Sequence, residues 1–526
     1  MTDHHGTPEP IDDSQEFDDE SPIEDMDEPR EHAPTPEELA VEAEAAPTGD
    51  IATDVALTDR EAAANDASMR ASRVERRDVL RWGGRAAAGV AAAAVTLGAV
   101  LGANALPAER SLVAQPPTTH VQPSSPLQSR VCAGPALRVG EGADALALAS
   151  IQEPVVTIGG LGGTVEQRTL SLLAQAGIIG GTAITQRGET STLSAAQSLD
   201  VSVEDARGLA MSECSEARLD QWLVGGSTRT GRQSTLTIAN AAEVSASVDI
   251  TVHGPDGPVE TVGSTDIAVA PGTETVIDLA AIAPGAADAV VHVASTGAPV
   301  AAHLQQTTMR GLERGGFDVV DPVSALTTAV LPGVAITDPT GVETQPDFDD
   351  AVSTLRVLSL AGGAVRIRFQ AADGTTVESE GRLEAGRVTD FPLEEIQAGT
   401  TAIRVEAETP IVVGARQVAI AAEGNDFDWV AGGQPRSGTS AVAVPPGPGA
   451  TVHIASATDA PQEISVDGRP VQLGPYGTYQ QPVAEGSVAI AGEELVVAIA
   501  YRDGSRVGGF TASPQAPTAQ GVTVVH

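Results

Sequence analysis

An internal repeat that begins near Gln221 and recurs to the C-terminus constrains this fold more than any other feature. Four matched pieces carry it. Ser234-Thr235-Leu236-Thr237-Ile238 matches Ser353-Thr354-Leu355-Arg356-Val357 and, more loosely, Ala450-Thr451-Val452-His453-Ile454. Next come Val248-Asp249-Ile250-Thr251-Val252, Val365-Arg366-Ile367-Arg368-Phe369 and Ile464-Ser465-Val466. Each is followed by Asp-Gly, at Asp256-Gly257, Asp373-Gly374 and Asp467-Gly468. That dipeptide tolerates the positive φ of tight hairpin turns. A glycine turn then enters a strand at Gly272, Gly386 and Gly477. A strand pair across a short polar loop closes each copy, as in Ala402-Ile403-Arg404-Val405 before Ile411-Val412-Val413.

Apolar–polar alternation is the period of a half-buried antiparallel strand. Short strands with turn signals at roughly 8–12-residue spacing suggest sandwiches. The expectation is a mostly β chain with three tandem antiparallel, Ig-like β-sandwich repeats at 221–327, 328–427 and 428–526, each with its own core. Val248, Ile250, Val252, Val365, Ile367 and Phe369 should face inward, and Asp249, Thr251, Arg366 and Arg368 outward. Gln221-Trp222-Leu223-Val224-Gly225-Gly226 and Asp428-Trp429-Val430-Ala431-Gly432-Gly433 read as header strands, with Trp222 and Trp429 as core anchors. Val330-Leu331-Pro332-Gly333 takes that place in the second repeat.

The segment before the repeats is less regular. Residues 132–220 read as an irregular lead-in, with a low-complexity insertion at 185–212. Residues 109–131 form a Pro-rich spacer, and residues 1–70, with 22 acids and three arginines, form a disordered acidic arm on the cytoplasmic side. Between them, 71–108 hold an arginine cluster and an uncharged stretch from Ala86 to Pro107. The stretch is 22 residues long, enough to cross a bilayer core as a helix. Arginines concentrated before it put the N-terminus inside and the body outside. A cleaved signal is the second reading, because Arg76-Arg77-Asp78-Val79-Leu80-Arg81 is similar to the twin-arginine export signature. A soluble buried helix is the third.

Composition narrows the function classes. A net charge of −41 argues against nucleic acid, whose phosphates would be repelled. Aromatics are only 2% of the chain, which leaves little stacking surface for sugars or bases. The chain has no lysine, a pattern of GC-rich genomes. Its two cysteines, Cys132 and Cys214, suggest one disulfide in an oxidising compartment, with two buried thiols as the alternative.

The Trp-Leu-Val-Gly-Gly header, the Thr-Leu-Thr-Ile-Ala-Asn strand, the Val-Val-His-Val-Ala-Ser-Thr-Gly run and Cys132 together resemble an uncharacterised actinobacterial family. Its members are single-pass exported proteins with repeats of this kind, classed as a domain of unknown function. The resemblance runs from about Arg76 to the C-terminus. It implies location and fold and transfers no catalytic residue.

The sequence offers no catalytic, cofactor-binding or metal residue that stands out. His-Glu-x-x-His, Gly-x-Ser-x-Gly and a phosphate loop are absent. His292 and His453 read as strand-surface residues, and His253 precedes a turn. Asp347, Asp349 and Asp350, and likewise Asp426 and Asp428, read as solvated loops, with calcium as the alternative. The expected function is a membrane-anchored, extracytoplasmic envelope protein that scaffolds or binds rather than catalyses. It would be held in the membrane by residues 86–107, with an envelope protein or glycan as partner. The alternative is an exported accessory that binds a carbohydrate or cell-wall polymer.

Overall fold

The computed structural model describes residues 118–121, 127–140, 147–172, 178–188, 192–337, 348, 350–421, 424–513 and 522–525. The acidic arm, the arginine cluster, the apolar span and most of the spacer lie outside the described residues. No helix among the described residues is long and apolar enough to cross a membrane.

The described chain is almost all strand. It runs through β1 (Thr118–Val121), β2 (Leu127–Val131), β3 (Ala136–Val139), β4 (Leu148–Gln152), β5 (Val155–Leu161), β6 (Thr164–Leu172), β7 (Ile179–Arg187), β8 (Thr192–Ser202) and β9 (Arg207–Glu213). Then follow β10 (Asp220–Val224), β11 (Arg232–Asn240), β12 (Ala246–Gly254), β13 (Gly257–Pro258), β14 (Ile267–Val269), β15 (Thr273–Asp278), the short helix α1 (Leu279–Ile282), β16 (Val290–Thr296), β17 (Ala301–Arg310), β18 (Glu313–Val320) and β19 (Pro322–Val323). The next stretch holds β20 (Leu326–Ile336), β21 (Thr354–Ser359), β22 (Gly363–Ala371), β23 (Thr376–Leu383), β24 (Val388–Pro392), β25 (Gly399–Ala419) and β26 (Asp426–Ala431). The last holds β27 (Arg436–Val444), β28 (Thr451–Ser456), β29 (Gln462–Val466), β30 (Arg469–Leu473), β31 (Thr478–Pro482), β32 (Gly486–Arg502), β33 (Val507–Thr511) and β34 (Val522–Val525). β34 returns to pair with β1.

The repeats share one pairing plan. In the copy that opens with β10, one sheet runs β10–β16–β12–β13 and the other β15–β11–β17–β18. The second runs β20–β25–β22–β23 and β24–β21–β25–β26. The third runs β27–β32–β29–β30 and β31–β28–β32–β33. The strand pair expected across a polar loop is therefore one continuous strand in the last two copies, of 21 residues in β25 and 17 in β32. About three extended residues cover the ~10 Å between packed sheets, so the strand crosses from sheet to sheet without a loop.

Two expectations are corrected. Asp428-Trp429-Val430 does not open a copy: it lies on β26, the last strand of the preceding one, and the true header is β27. Gly432-Gly433 follow β26 as Gly225-Gly226 follow β10, so the two stretches look alike in sequence although their strands hold different places in their copies. The lead-in is not irregular: within 185–212, read as a low-complexity insertion, the described residues form the end of β7, β8 and most of β9. Here β2–β7–β6 and β5–β8–β9 repeat the pairings β10–β16–β12 and β11–β17–β18 in the same chain order. Residues 127–213 form an abbreviated fourth copy with the β3–β4 hairpin inserted. Its buried Gln197 is satisfied by the backbone. Gln197 Nε2 donates to Gly134 O at 3.0 Å, and Gly134 N–H returns a bond to Gln197 Oε1 at 3.1 Å. A small cluster of Cys132, Ile184, Leu193, Ala195 and Cys214, with Val156 and Ile158 against it, fills part of its interior, while Leu199, Val201 and Ala210 join a cluster with Phe317 and Val319 of the next copy. A disulfide joins Cys132 to Cys214 and fastens the end of β2 to the end of β9. So thin a core benefits from a covalent tie.

Alternation directs the side chains as its period requires. Val248, Ile250, Val252, Val365, Ile367 and Phe369 are buried, Asp249 and Arg366 exposed, and Thr251 and Arg368 half-buried. The second repeat keeps a cluster of its own around Ile367, but two other cores cross repeat boundaries. The cluster around Ile250 extends to Leu358, Val412, Phe427 and Trp429 of the following copy. The cluster of the last copy takes in Ala196, Leu209 and Met211 from the first. Calorimetry of the full chain should therefore show one transition for all four copies. Ile367→Asp, which buries an unpaired charge, should lower that transition as a whole, whereas Arg366→Ala should leave it in place. A copy that melts separately in Ile367→Asp contradicts the coupling of the copies through the cores that cross their boundaries.

Candidate functional site

The last strand of each copy meets the last strands of its neighbours. β9 packs on β18, β18 on β26, β26 on β33, and β33 on β9, which closes a circuit. Two glycines permit the approach. A Cβ on Gly208 would lie 2.5 Å from Phe317 N and O, and one on Gly508 would lie 2.1 Å from Leu209 O.

Asp426 stands on β26 where the circuit closes. It is 1% exposed. Its Oδ2 accepts the Leu209 N–H of β9 and the Val507 N–H of β33, both at 3.1 Å, and its Oδ1 accepts the Phe317 N–H of β18 at 3.4 Å. One carboxylate thus bonds the backbones of all three other copies. Further buried acids extend the pattern. Asp428 Oδ1 accepts Gly509 N–H at 2.9 Å, Asp318 Oδ2 accepts Trp429 N–H at 2.8 Å, and Asp321 Oδ2 accepts Glu213 N–H at 2.9 Å. Glu213 Oε2 in turn accepts Ser513 N–H at 2.8 Å. The reading of Asp426 and Asp428 as loop residues, solvated or calcium-bound, is corrected: they lie buried on a strand, and no acid or histidine cluster among the described residues could hold a metal.

Burial sets their protonation. It pushes Asp426 up to about 8 and Asp428 to about 7, against the amide and side-chain bonds that favour the anion. Burial first, then the charge of Asp428, raises Asp318 well above the carboxylate range. Burial likewise raises Glu274, which accepts Gly181 N–H, to about 7.

The histidines divide. His292, on the surface of β16, bonds Asp220 Oδ2 through Nε2 at 2.7 Å and stacks on Trp222. His253 Nδ1 lies 3.0 Å from Gly386 O. His453, expected on a strand surface, is buried under Gly333, because two copies pack there. His303 Nε2 lies 3.1 Å from Ser215 Oγ, but both residues are sealed from solvent. Burial lowers His303 and His453 to about 4. Trp222 and Trp429 are buried in the core. Trp429 Nε1 donates to Gln306 Oε1 at 3.1 Å.

Asp350 is held by arginines. Arg232 donates to it from Nε and Nη2 at 3.1 and 3.0 Å, Arg310 from Nε at 3.1 Å, and Arg416 Nη2 lies 3.4 Å away. Those cations displace the calcium reading at Asp350, while Asp347 and Asp349 lie outside the described residues. Near this nest a cleft of about 620 Å³ opens between the β3–β4 hairpin, β11 and β17. Arg138, Asp205, Gln233 and Asp278 give it polar walls, and Leu137, Ile151 and Met309 apolar ones. Sequence reasoning missed both the cleft and the hub. A signal for the hub exists: Gly316-Phe317-Asp318, Asp426-Phe427-Asp428 and Gly509-Phe510-Thr511 recur at the ends of the copies.

A family profile described as "Family of unknown function (DUF5719)" matches residues 174–489, more than half of the chain. No curated protein matches. A solved structure titled "Crystal Structure of Thermotoga maritima 1070" is similar at 14% identity with a TM-score of 0.18, over 21% of this chain and 95% of that one. A superposition so poor carries no argument.

The hub predicts a pH dependence. Acids with raised folded values keep protons that the unfolded chain has released, so they lower stability as pH rises from about 4 through about 8. Histidines lowered to about 4 act oppositely, but only below their ordinary value of 6.5. From pH 6.5 to 8.5 the carboxylates dominate, and the melting temperature should fall. Asp318→Asn, which fixes the neutral form, should flatten that slope. Stability that rises across this interval would contradict the assignment.

Proposed function

The chain belongs to the DUF5719 family of unknown function, and we propose that it is a non-enzymatic, extracytoplasmic envelope protein. The apolar stretch Ala86–Pro107 anchors it, and its β-body is a rigid scaffold that displays a binding cleft to a partner. The observation that carries this reading is the use made of reactive side chains. Asp318, Asp321, Asp426, Asp428 and Glu213 are buried and bonded to backbone amides between copies, and Ser215 and His303 are buried against each other. Groups so placed hold copies together and meet no substrate. The arginine cluster before an uncharged span supports an inside N-terminus. The absence of lysine supports a GC-rich, actinobacterial source.

A glycan partner is the second reading, and the cleft favours it. Carboxylate, guanidinium and amide groups beside apolar walls suit hydroxyl-rich ligands with one apolar face. Asp205 Oδ1 is buried there without a hydrogen-bond partner.

Protease added to intact, wall-stripped cells tests the topology. It should remove the body and leave a membrane-retained fragment that ends just beyond the span. A fully protected body would contradict the proposal, and a body released whole into the medium would favour the cleaved signal.

A further inference from the structure

A second cavity, of about 190 Å³, lies where β20, β22 and β25 meet β28 and β31. It has the space of about six waters at about 30 Å³ each. His453 pairs with Gln480 across the β28–β31 ladder, and Thr478 stands two residues from Gln480 on the same face. Gln370, paired with Ala402 across the β22–β25 ladder, comes from the opposite wall. Pro332 and Gly333 of β20 lie between the two walls. A Cβ on Gly333 would lie 2.4 Å from His453 Cγ, so only a glycine admits the ring there. His453 is 8% exposed, yet its ring nitrogens are not closed off by protein, and the ring opens into the cavity that it lines. Among the described residues, neither that ring nor the side chains of Gln370, Gln480 and Thr478 have a hydrogen-bond partner. Four polar groups without protein partners at one cavity point to a ligand that bonds them.

We propose that this cavity binds the acetamido group of an N-acetylated sugar. No aspartate, glutamate or arginine is among the described residues that line it, so a charged ligand would be buried there unpaired. Burial holds His453 at about 4, and the imidazole is therefore neutral at physiological pH, with one nitrogen to donate and one to accept. Each glutamine amide likewise offers both roles. An acetamido group has one N–H, one carbonyl and one methyl. The polar groups of the two walls match the first two, and Pro332 and Ala402 give the methyl an apolar seat. The volume admits that group and little more, and Gln480 is exposed, so the sugar ring stays at the mouth beside it. The inference rests on the glycan reading for the source of the group, but it uses a different cavity from the cleft beside the β3–β4 hairpin.

The test is an NMR titration of the histidine-labelled full chain with N-acetylglucosamine, glucose and N-acetylalanine amide, the His453 signal being the one lost in His453→Gln. N-Acetylglucosamine should move that signal saturably, and glucose should not. Gln370→Ala and Gln480→Ala, half-buried and exposed positions that leave the cores intact, should each weaken the apparent affinity about tenfold, a loss of about 1.4 kcal/mol. The proposal is overturned if N-acetylglucosamine leaves the His453 signal in place, if glucose moves it equally, or if both glutamine variants bind like the parent. An N-acetylalanine amide that moves the signal as well as the sugar does would overturn the sugar assignment. N-Acetylglucosamine that binds without moving the His453 signal would overturn this inference and leave the glycan reading standing at the other cleft.

Discussion

Asp426 bonds three backbone amides that belong to three different copies, and the body is one object because of it. Leu209, Phe317 and Val507 lie on β9, β18 and β33, the three strands that meet β26 in the circuit. An amide buried there has no water to turn to, and its own ladder lies on the other edge. A carboxylate with several lone pairs can serve three donors at once, which no backbone carbonyl at that point could do. Its position follows from the repeat: Gly316 and Gly509 occupy the matching places in other copies. One copy supplies a side chain where its relatives supply space.

That asymmetry organises the rest. The long strands β25 and β32 bind the two sheets of their copies, so a displacement at the circuit is carried into both cores. Val430 belongs to the core of its own copy, while Trp429 beside it belongs to the core of the preceding one. The first copy, short of strands and filled mainly by small residues, relies on the Cys132–Cys214 bond. The carboxylate–amide contacts of the circuit are thus internal structure.

Much of the strand order was legible. Val365, Ile367 and Phe369 announce a half-buried strand because Arg366 and Arg368 alternate with them, and Asp-Gly marks each following turn. The fourth copy was hidden for a physical reason: in β8 and β9, Ser194, Gln197 and Ser212 are as buried as their apolar neighbours, so alternation vanishes. Asp426 and Asp428 looked like loop acids because Gly424-Asn425 precedes them. Only pairwise geometry reveals what they bond. The cleft draws residues from β3, β4, β11 and β17, too far apart in sequence for any local pattern. The apolar span, the clearest functional signal in the chain, lies outside the described residues.

The most direct measurement is the stability of the full chain with Asp426→Ala, by denaturant titration beside the parent and Asp426→Asn. The alanine leaves three buried amides without an acceptor and should cost at least about 3 kcal/mol. Asparagine keeps an oxygen for Leu209 and Val507 and should recover most of that loss. An Asp426→Ala protein within about 0.5 kcal/mol of the parent, the range of an ordinary surface change, would show that the copies are held together by something other than this carboxylate.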